Sequence, residues 1–350
     1  MPSRTHVSIT LVAGLGVALI TATAAHAQTP PSYGWDFATI GAPGNEAFDP
    51  MSGFDSSDVR RVHRPFGAVG YEYRISRTEL RTSQWIDFLN TFPTLDPVGP
   101  FIWGAERDAQ SARWRPAAAY PNAGEFPLLG ISWRTAAQYC NWLHNGQSSD
   151  PSSLLTGAYD VSTFGRDASQ PGVFTDQLTR SPGARYWIPS YDEWAKAVYF
   201  DPNRHGEAQP GYWRYPQSSD AQPVYGPPGL GTANVAAGGN TTFGRWDLAV
   251  GAYVGFTSPW GLLDAAGAGP EWTEHPIGFS DEPPFFRAIA GSSALDEPFN
   301  TARFSDQIGF VQGRAPDFPL GSFRIASRIP APGTAACLPM IAWFLKRRTR

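Results

Sequence analysis

The sequence predicts an α+β domain with little regular secondary structure and a large aromatic core. Of 350 residues, 36 are glycine and 33 are proline, the residue types that set turn geometry, so the chain must reverse direction often. Among them stand 13 tryptophans, each able to bury a wide flat surface and pin a loop. Helical periodicity is confined to three short stretches, and no fixed-period repeat is present. With 42% hydrophobic and 14% aromatic residues, a chain of this length can bury about 75% of its unfolded surface.

Taken in order, the first strand is expected at 71–75. Thr82 reads as the N-cap of a first helix, with Trp85, Phe88 and Leu89 on one face. Ser132 caps a second, with Trp133, Ala136, Ala137, Cys140 and Leu143 inward and Asn145-Gly146 ending it. Ser190 and Glu193 form a capping box after Pro189, opening a third helix that buries Trp194, Ala197 and Val198. Further strands are expected at 286–290 and 322–326. The tracts 150–182 and 201–243 read as surface loops.

The ends specify an export route. Arg4 lies in a short polar start, residues 7–24 are apolar and small, and Ala25-His26-Ala27 suits cleavage after Ala27. This is the pattern of a secretory signal, a retained membrane anchor being the alternative. At the far end, Ile329-Pro330-Ala331-Pro332-Gly333 precedes a mostly apolar 334–345 and the basic Lys346-Arg347-Arg348-Thr349-Arg350. As a helix that apolar piece spans about 18 Å against about 30 Å of hydrocarbon, and Pro339 interrupts it, so it makes a poor permanent span. The order of parts resembles the exosortase-type (PEP-CTERM-like) sorting tails of exported bacterial proteins. That implies an exosortase-type sorting enzyme as partner, transient membrane contact through the tail, and a secreted or cell-envelope location. A disordered basic tail is the alternative.

Net charge is −4 with 17% charged residues, so no basic stripe exists to meet phosphates and nucleic acid is excluded as a partner. The two cysteines are Cys140 and Cys337. Loss of the tail leaves one thiol and no internal disulfide, so stability must come from the core. Cys140 itself reads as a small buried apolar residue of the second helix.

Five blocks now carry a resemblance: YEYRISRTELRTSQWIDFLNTF (71–92), PLLGISWRTAAQYCNWLHNGQ (127–147), RYWIPSYDEWAKA (185–197), PWGLLDAAGAGPEWTE (259–274) and GSFRIAS (321–327). In this order they resemble the signature blocks of the formylglycine-generating enzyme, or sulfatase-modifying factor, family. The resemblance implies an irregular α+β fold related to C-type lectins. It divides the chain into a signal peptide (1–27), an N-terminal lead-in (28–68), the sulfatase-modifying-factor-like domain (69–327) and a sorting tail (328–350).

Catalytic members of that family convert a sulfatase cysteine to formylglycine with oxygen and a copper ion held by two thiolates, a ligand type that suits soft Cu(I). Carried across from Ala290-Gly291-Ser292, the thiolate positions fall on Leu295 and Asn300, neither of which supplies a thiolate. No catalytic or cofactor-binding residue is therefore assigned, and copper is not expected. Iron would need a cluster of histidine and carboxylate, but His63, His144, His205 and His275 show no paired spacing. The resemblance also implies a structural calcium on Asp264, the carbonyls of Gly267 and Gly269, and Glu271, and a second begun by Asn234 and the Val235 carbonyl. Ala268 and Pro270 depart from the family's loop. The alternative is that Glu271 caps or pairs with an arginine inside the fold.

Arg287, Arg303, Arg314 and Arg324 read as groove liners or as snorkelling surface arginines. Asp192 and Glu193 are adjacent and diverge on a helix, so they are no acid-base pair. Ser292-Ser293 lacks the elbow of a serine hydrolase. The expectation is an exported, non-catalytic binding or scaffold module that engages an extracellular protein or polysaccharide. A formylglycine-generating or other metal-dependent oxidase is one alternative. A carbohydrate-binding, lectin-like module is another, suggested by Trp213, Trp246 and Trp260.

Overall fold

Three helices organise the fold, and the way each begins explains where it lies. In α1 (Thr82–Thr91) the N-cap is Arg81 rather than the expected Thr82. Both the N–H and the hydroxyl of Thr82 donate to the Phe126 carbonyl, at 2.9 and 3.1 Å, so that side chain is unavailable as a cap. Gln84 instead accepts from the Arg81 N–H at 3.0 Å. In α2 (Trp133–His144) Ser132 accepts from the Thr135 N–H, and Asn145 closes the helix. In α3 (Tyr191–Tyr199) Ser190 accepts from the Glu193 N–H at 3.1 Å while Glu193 accepts from the Ser190 N–H at 2.8 Å. Ser190→Ala removes the first of these bonds and should cost about 1 kcal/mol of stability, readable as a shifted denaturation midpoint with unchanged slope.

The computed structural model describes residues 29–50, 62, 64–95, 104–235, 247–277, 286–294, 296 and 302–329. Residues 30–329 form one compact unit. A four-stranded antiparallel sheet runs in the order Phe37–Ile40, Tyr73–Ser76, Ala326–Arg328, Tyr186–Trp187. The segment ahead of residue 69 thus supplies an edge strand, and the strand at 326–328 lies between two earlier ones. The strand expected at 322–326 is found at Ala326–Arg328, while Ser322 bridges Glu271 of the second sheet instead. A second sheet of three antiparallel strands runs Gln312–Arg314, Phe286–Ala290, Glu271–Ile277, with a register shift between Trp272 and Pro276.

Trp85, Trp133, Trp194 and Trp272 are all fully buried, as expected for aromatic anchors in a loop-rich fold. Tyr139 of α2 stacks on Trp85 of α1 at 5.7 Å between centroids. The tract 150–182 is less superficial than its composition predicts, since Leu154, Tyr159 and Phe174 are buried. Buried backbone there needs partners, and Asn141 provides them: its amide donates to the carbonyls of Leu154 and Tyr159, and its oxygen accepts from the Tyr159 N–H. Among the described residues no helix is long and apolar enough to cross a membrane.

Candidate functional site

The loop 263–270 and the first residue of the Glu271–Ile277 strand bring the sequence-selected residues together. Glu271 is 1% exposed. Its two oxygens accept from Nε of Arg324 at 2.9 and 2.8 Å, and one also accepts from Nε1 of Trp194 at 2.9 Å. Arg324, 0% exposed, completes its fork on the carbonyls of Arg77 and Leu263. One N–H is thus shared between both carboxylate oxygens while the other two nitrogens reach backbone carbonyls, a spread of donors in one plane that a guanidinium offers and an ammonium does not.

Around this pair the other candidates take fixed places. Asn234 bridges Gly267, and its carbonyl accepts from the Ala268 N–H at 3.0 Å; Val235 follows in the same buried segment. Gly267 sits at φ +80°, and a Cβ there would collide with the Asn234 carbonyl; one at Gly269 would collide with Leu129. These glycines therefore permit close approach of chain segments. Asp264, itself at φ +57°, accepts from the Gly251 N–H, and burial raises its carboxyl above the ordinary range.

Both oxygens of Glu271 are occupied by a guanidinium and an indole, so a cation there would have to displace Arg324. As arranged, Asp264, Gly267, Gly269 and Glu271 do not fit calcium. Among the described residues no group of three or more His, Cys, Asp or Glu is placed to hold a metal ion.

Residues that no local pattern marked complete the site. Glu79 is 0% exposed; one oxygen accepts from the Gly269 N–H at 3.2 Å, and the other, buried, has no hydrogen-bond donor. Burial, and next the neighbouring Glu271, push this carboxyl well above its usual value, a shift that favours the neutral acid. Beyond the Phe286–Ala290 strand, Asp306 accepts from the Ser292 N–H and the Tyr225 hydroxyl, each at 3.0 Å. Ser292 in turn accepts from the Gly267 N–H at 2.9 Å. Burial pushes Asp306 up to about 7. Nearby, Asp296 accepts from the Ser293 N–H at 2.8 Å, and its carboxyl is raised by burial. Leu295 and Asn300 lie outside the described residues.

Two arginines expected in a groove or at the surface are in the core, which corrects that reading for them. Arg324 serves Glu271. Arg287 is 1% exposed, lies 3.8 Å from the Trp133 ring centroid and donates to the carbonyls of Leu178, Glu274 and Gln177. Each replaces water with carbonyls or a carboxylate, which is what makes burial of a guanidinium tolerable. Cys140 is 0% exposed, and burial pushes its thiol well up, the opposite of what a metal-binding or nucleophilic thiol needs. Of the tryptophans suggested for sugar binding, Trp213 lies under the Arg204 guanidinium at 3.6 Å and Trp260 donates to the Phe200 carbonyl. Trp246 lies outside the described residues.

The arrangement buries an ion pair, Glu271 with Arg324, beside carboxyls that burial raises above their ordinary range. The comparisons agree with the fold. A family profile described as Sulfatase-modifying factor enzyme 1-like domain matches residues 67–327. Among solved structures the chain is similar to one described as the crystal structure of CarF, with 16% identity, 85% of this chain and 99% of that chain covered, and a TM-score of 0.51. A variable protein of Treponema denticola matches at 15% identity, with 84% and 95% coverage and a TM-score of 0.48. PvdO from Pseudomonas aeruginosa matches at 15% identity, with 84% and 92% coverage and a TM-score of 0.38. At 16% identity the likeness to CarF concerns the fold alone. No curated protein matches the chain. With the profile spanning 67–327 and a single cysteine, Cys140, in that span, the chain belongs to the sulfatase-modifying factor enzyme 1-like family as a member without a thiolate pair.

Proposed function

We propose that this protein is a non-catalytic binding or scaffold module of the bacterial cell envelope, exported by its N-terminal signal, sorted through its basic C-terminal tail, and engaging an extracellular protein or polysaccharide. One observation supports the reading above all others. The family's oxidase chemistry needs two thiolates on copper, and the matched span offers one thiol, closed inside α2 packing and held protonated. On the family pattern the missing thiolates correspond to Leu295 and Asn300, and the irregular fold is taken as a relative of the C-type lectins, whose surfaces serve recognition.

The test is metal analysis and oxygen uptake on the purified domain 28–329. The expected result is no stoichiometric copper or iron and no conversion of a cysteine-containing sulfatase-type peptide in air. Turnover of that peptide, with copper bound in a one-to-one ratio, overturns the proposal.

A further inference from the structure

On the face of the domain formed by the loops 216–232 and 251–266 lies a small pocket lined by Gln217, Thr232, Tyr253, Phe256, Leu262 and Asp264, among others. Its enclosed part has room for about one water-sized group. The hydroxyls of Thr232 and Tyr253 spend their protons on the carbonyls of Val224 and Gly226, so the polar groups of the wall have only acceptor capacity left for a ligand.

Asp264 is the charged member. Its carboxylate accepts from the Gly251 N–H and meets no lysine or arginine at salt-bridge distance among the described residues; Arg324, whose charge reaches it, is bonded to Glu271. Gln217 donates through its amide nitrogen to the Ala221 carbonyl, which leaves its buried oxygen with no donor. The aromatic side chains of Tyr253 and Phe256 complete the wall. The two loops that form the pocket carry four large exposed side chains, Val224 at 58%, Leu230 at 81%, Val254 at 83% and the wall residue Phe256 at 41% exposed. The two loops are tied together, Tyr253 donating to the Gly226 carbonyl at 2.8 Å and the Ser218 hydroxyl to the Thr257 carbonyl at 2.9 Å.

We propose that this pocket binds an alkylammonium group, the head that a lysine side chain presents, with the ammonium on Asp264 and the aromatic side chains and the aliphatic stem along the exposed apolar residues of the two loops. A compact ammonium supplies the donors the wall lacks, gains from an aromatic face, and fits a space of one-water size. The exposed apolar residues select a hydrocarbon stem over a hydroxylated ring, since burying unpaired hydroxyls against Val254 and Leu230 costs free energy. The inference deepens the binding-module reading and rests on it.

The probes are n-butylammonium, n-butanol and glucosamine, titrated into the folded domain with a chelator present and followed by ligand-observed NMR. Butylammonium is expected to bind saturably, with butanol and glucosamine each weaker by about 10-fold or more, the loss of one charge-assisted contact. Asp264→Asn is the matching variant. Asparagine tolerates the left-handed backbone of this position and can still accept from Gly251, so the fold is retained while butylammonium binding falls by about 10-fold. Phe256→Ser, at an exposed position, should weaken it by about 3-fold and serves if the first variant fails to fold. Equal binding of butanol, equal or tighter binding of glucosamine, or indifference to both substitutions overturns the proposal. Such a failure removes the subsite alone, whereas turnover of the peptide in air removes the module reading, so the two are told apart.

Discussion

Arg324→Met is expected to destabilise the domain by about 3–5 kcal/mol, the range for removing one partner of a fully buried ion pair, and to lower its Tm by on the order of 10 °C for a domain of this size. The reason lies in what remains. Glu271 keeps its indole donor from Trp194 but loses both contacts to the guanidinium; the Leu263 carbonyl loses its donor, and the Arg77 carbonyl keeps only the Leu263 N–H. Buried acceptors without donors account for most of the cost. Arg324→Lys should recover little, because an ammonium cannot serve two oxygens and two carbonyls in the planar fork this site requires. Arg324→Met combined with Glu271→Gln should be more stable than Arg324→Met alone, since no carboxylate is then left uncompensated. Differential scanning of the four proteins measures this. The same scans with and without a calcium chelator are expected to coincide; a Tm that falls on chelation would restore the cation site on Asp264, Gly267, Gly269 and Glu271.

The second large effect is a dependence of stability on pH that Asp306→Asn should remove in part. Burial lifts Asp306 from its ordinary 3.8 to about 7, so between these values the unfolded chain has released a proton that the folded one still holds. Stability from this group is therefore complete below about pH 4 and is lost as pH rises to about 7. The difference corresponds to roughly 4 kcal/mol at most. Glu274, lifted to about 7 chiefly by burial although Arg180 opposes the rise, slopes in the same direction. His275 slopes the other way: burial, with Arg64 beside it, lowers it from 6.5 to about 4, so its neutral form loses stability as pH falls through that window.

Wild-type stability is the sum of these opposing slopes, and the substitution isolates one. Asparagine can accept from the Ser292 N–H and donate to the Tyr225 oxygen, so both contacts of Asp306 survive. The variant should gain on the wild type by a few kcal/mol between pH 4 and pH 7, read from urea midpoints at each pH. A constant difference across that range would show that Asp306 is ionised throughout.

The helices were legible because their signals are local. Ser190 and Glu193 are three residues apart, and a capping box needs nothing else; Ser132 and the inward face of α2 are read the same way. Thr82 misled for the complementary reason, since its hydroxyl was claimed by Phe126, a residue 44 positions away. The tract 150–182 was taken as superficial because composition carries no record of the Asn141 amide that satisfies its buried backbone.

By itself the sequence determined what depends on residue identity and short spacing: the family blocks, the lack of a thiolate pair, the aromatic core and the helix starts. Only the tertiary structure decided the fate of the charges. Glu79, Glu271, Arg324 and Asp306 are scattered from residue 79 to residue 324, and whether a carboxyl is ionised, paired or neutral is set by the dielectric and the donors within a few ångströms of it. Those neighbours are supplied by chain closure across hundreds of residues, a distance over which no local pattern carries information.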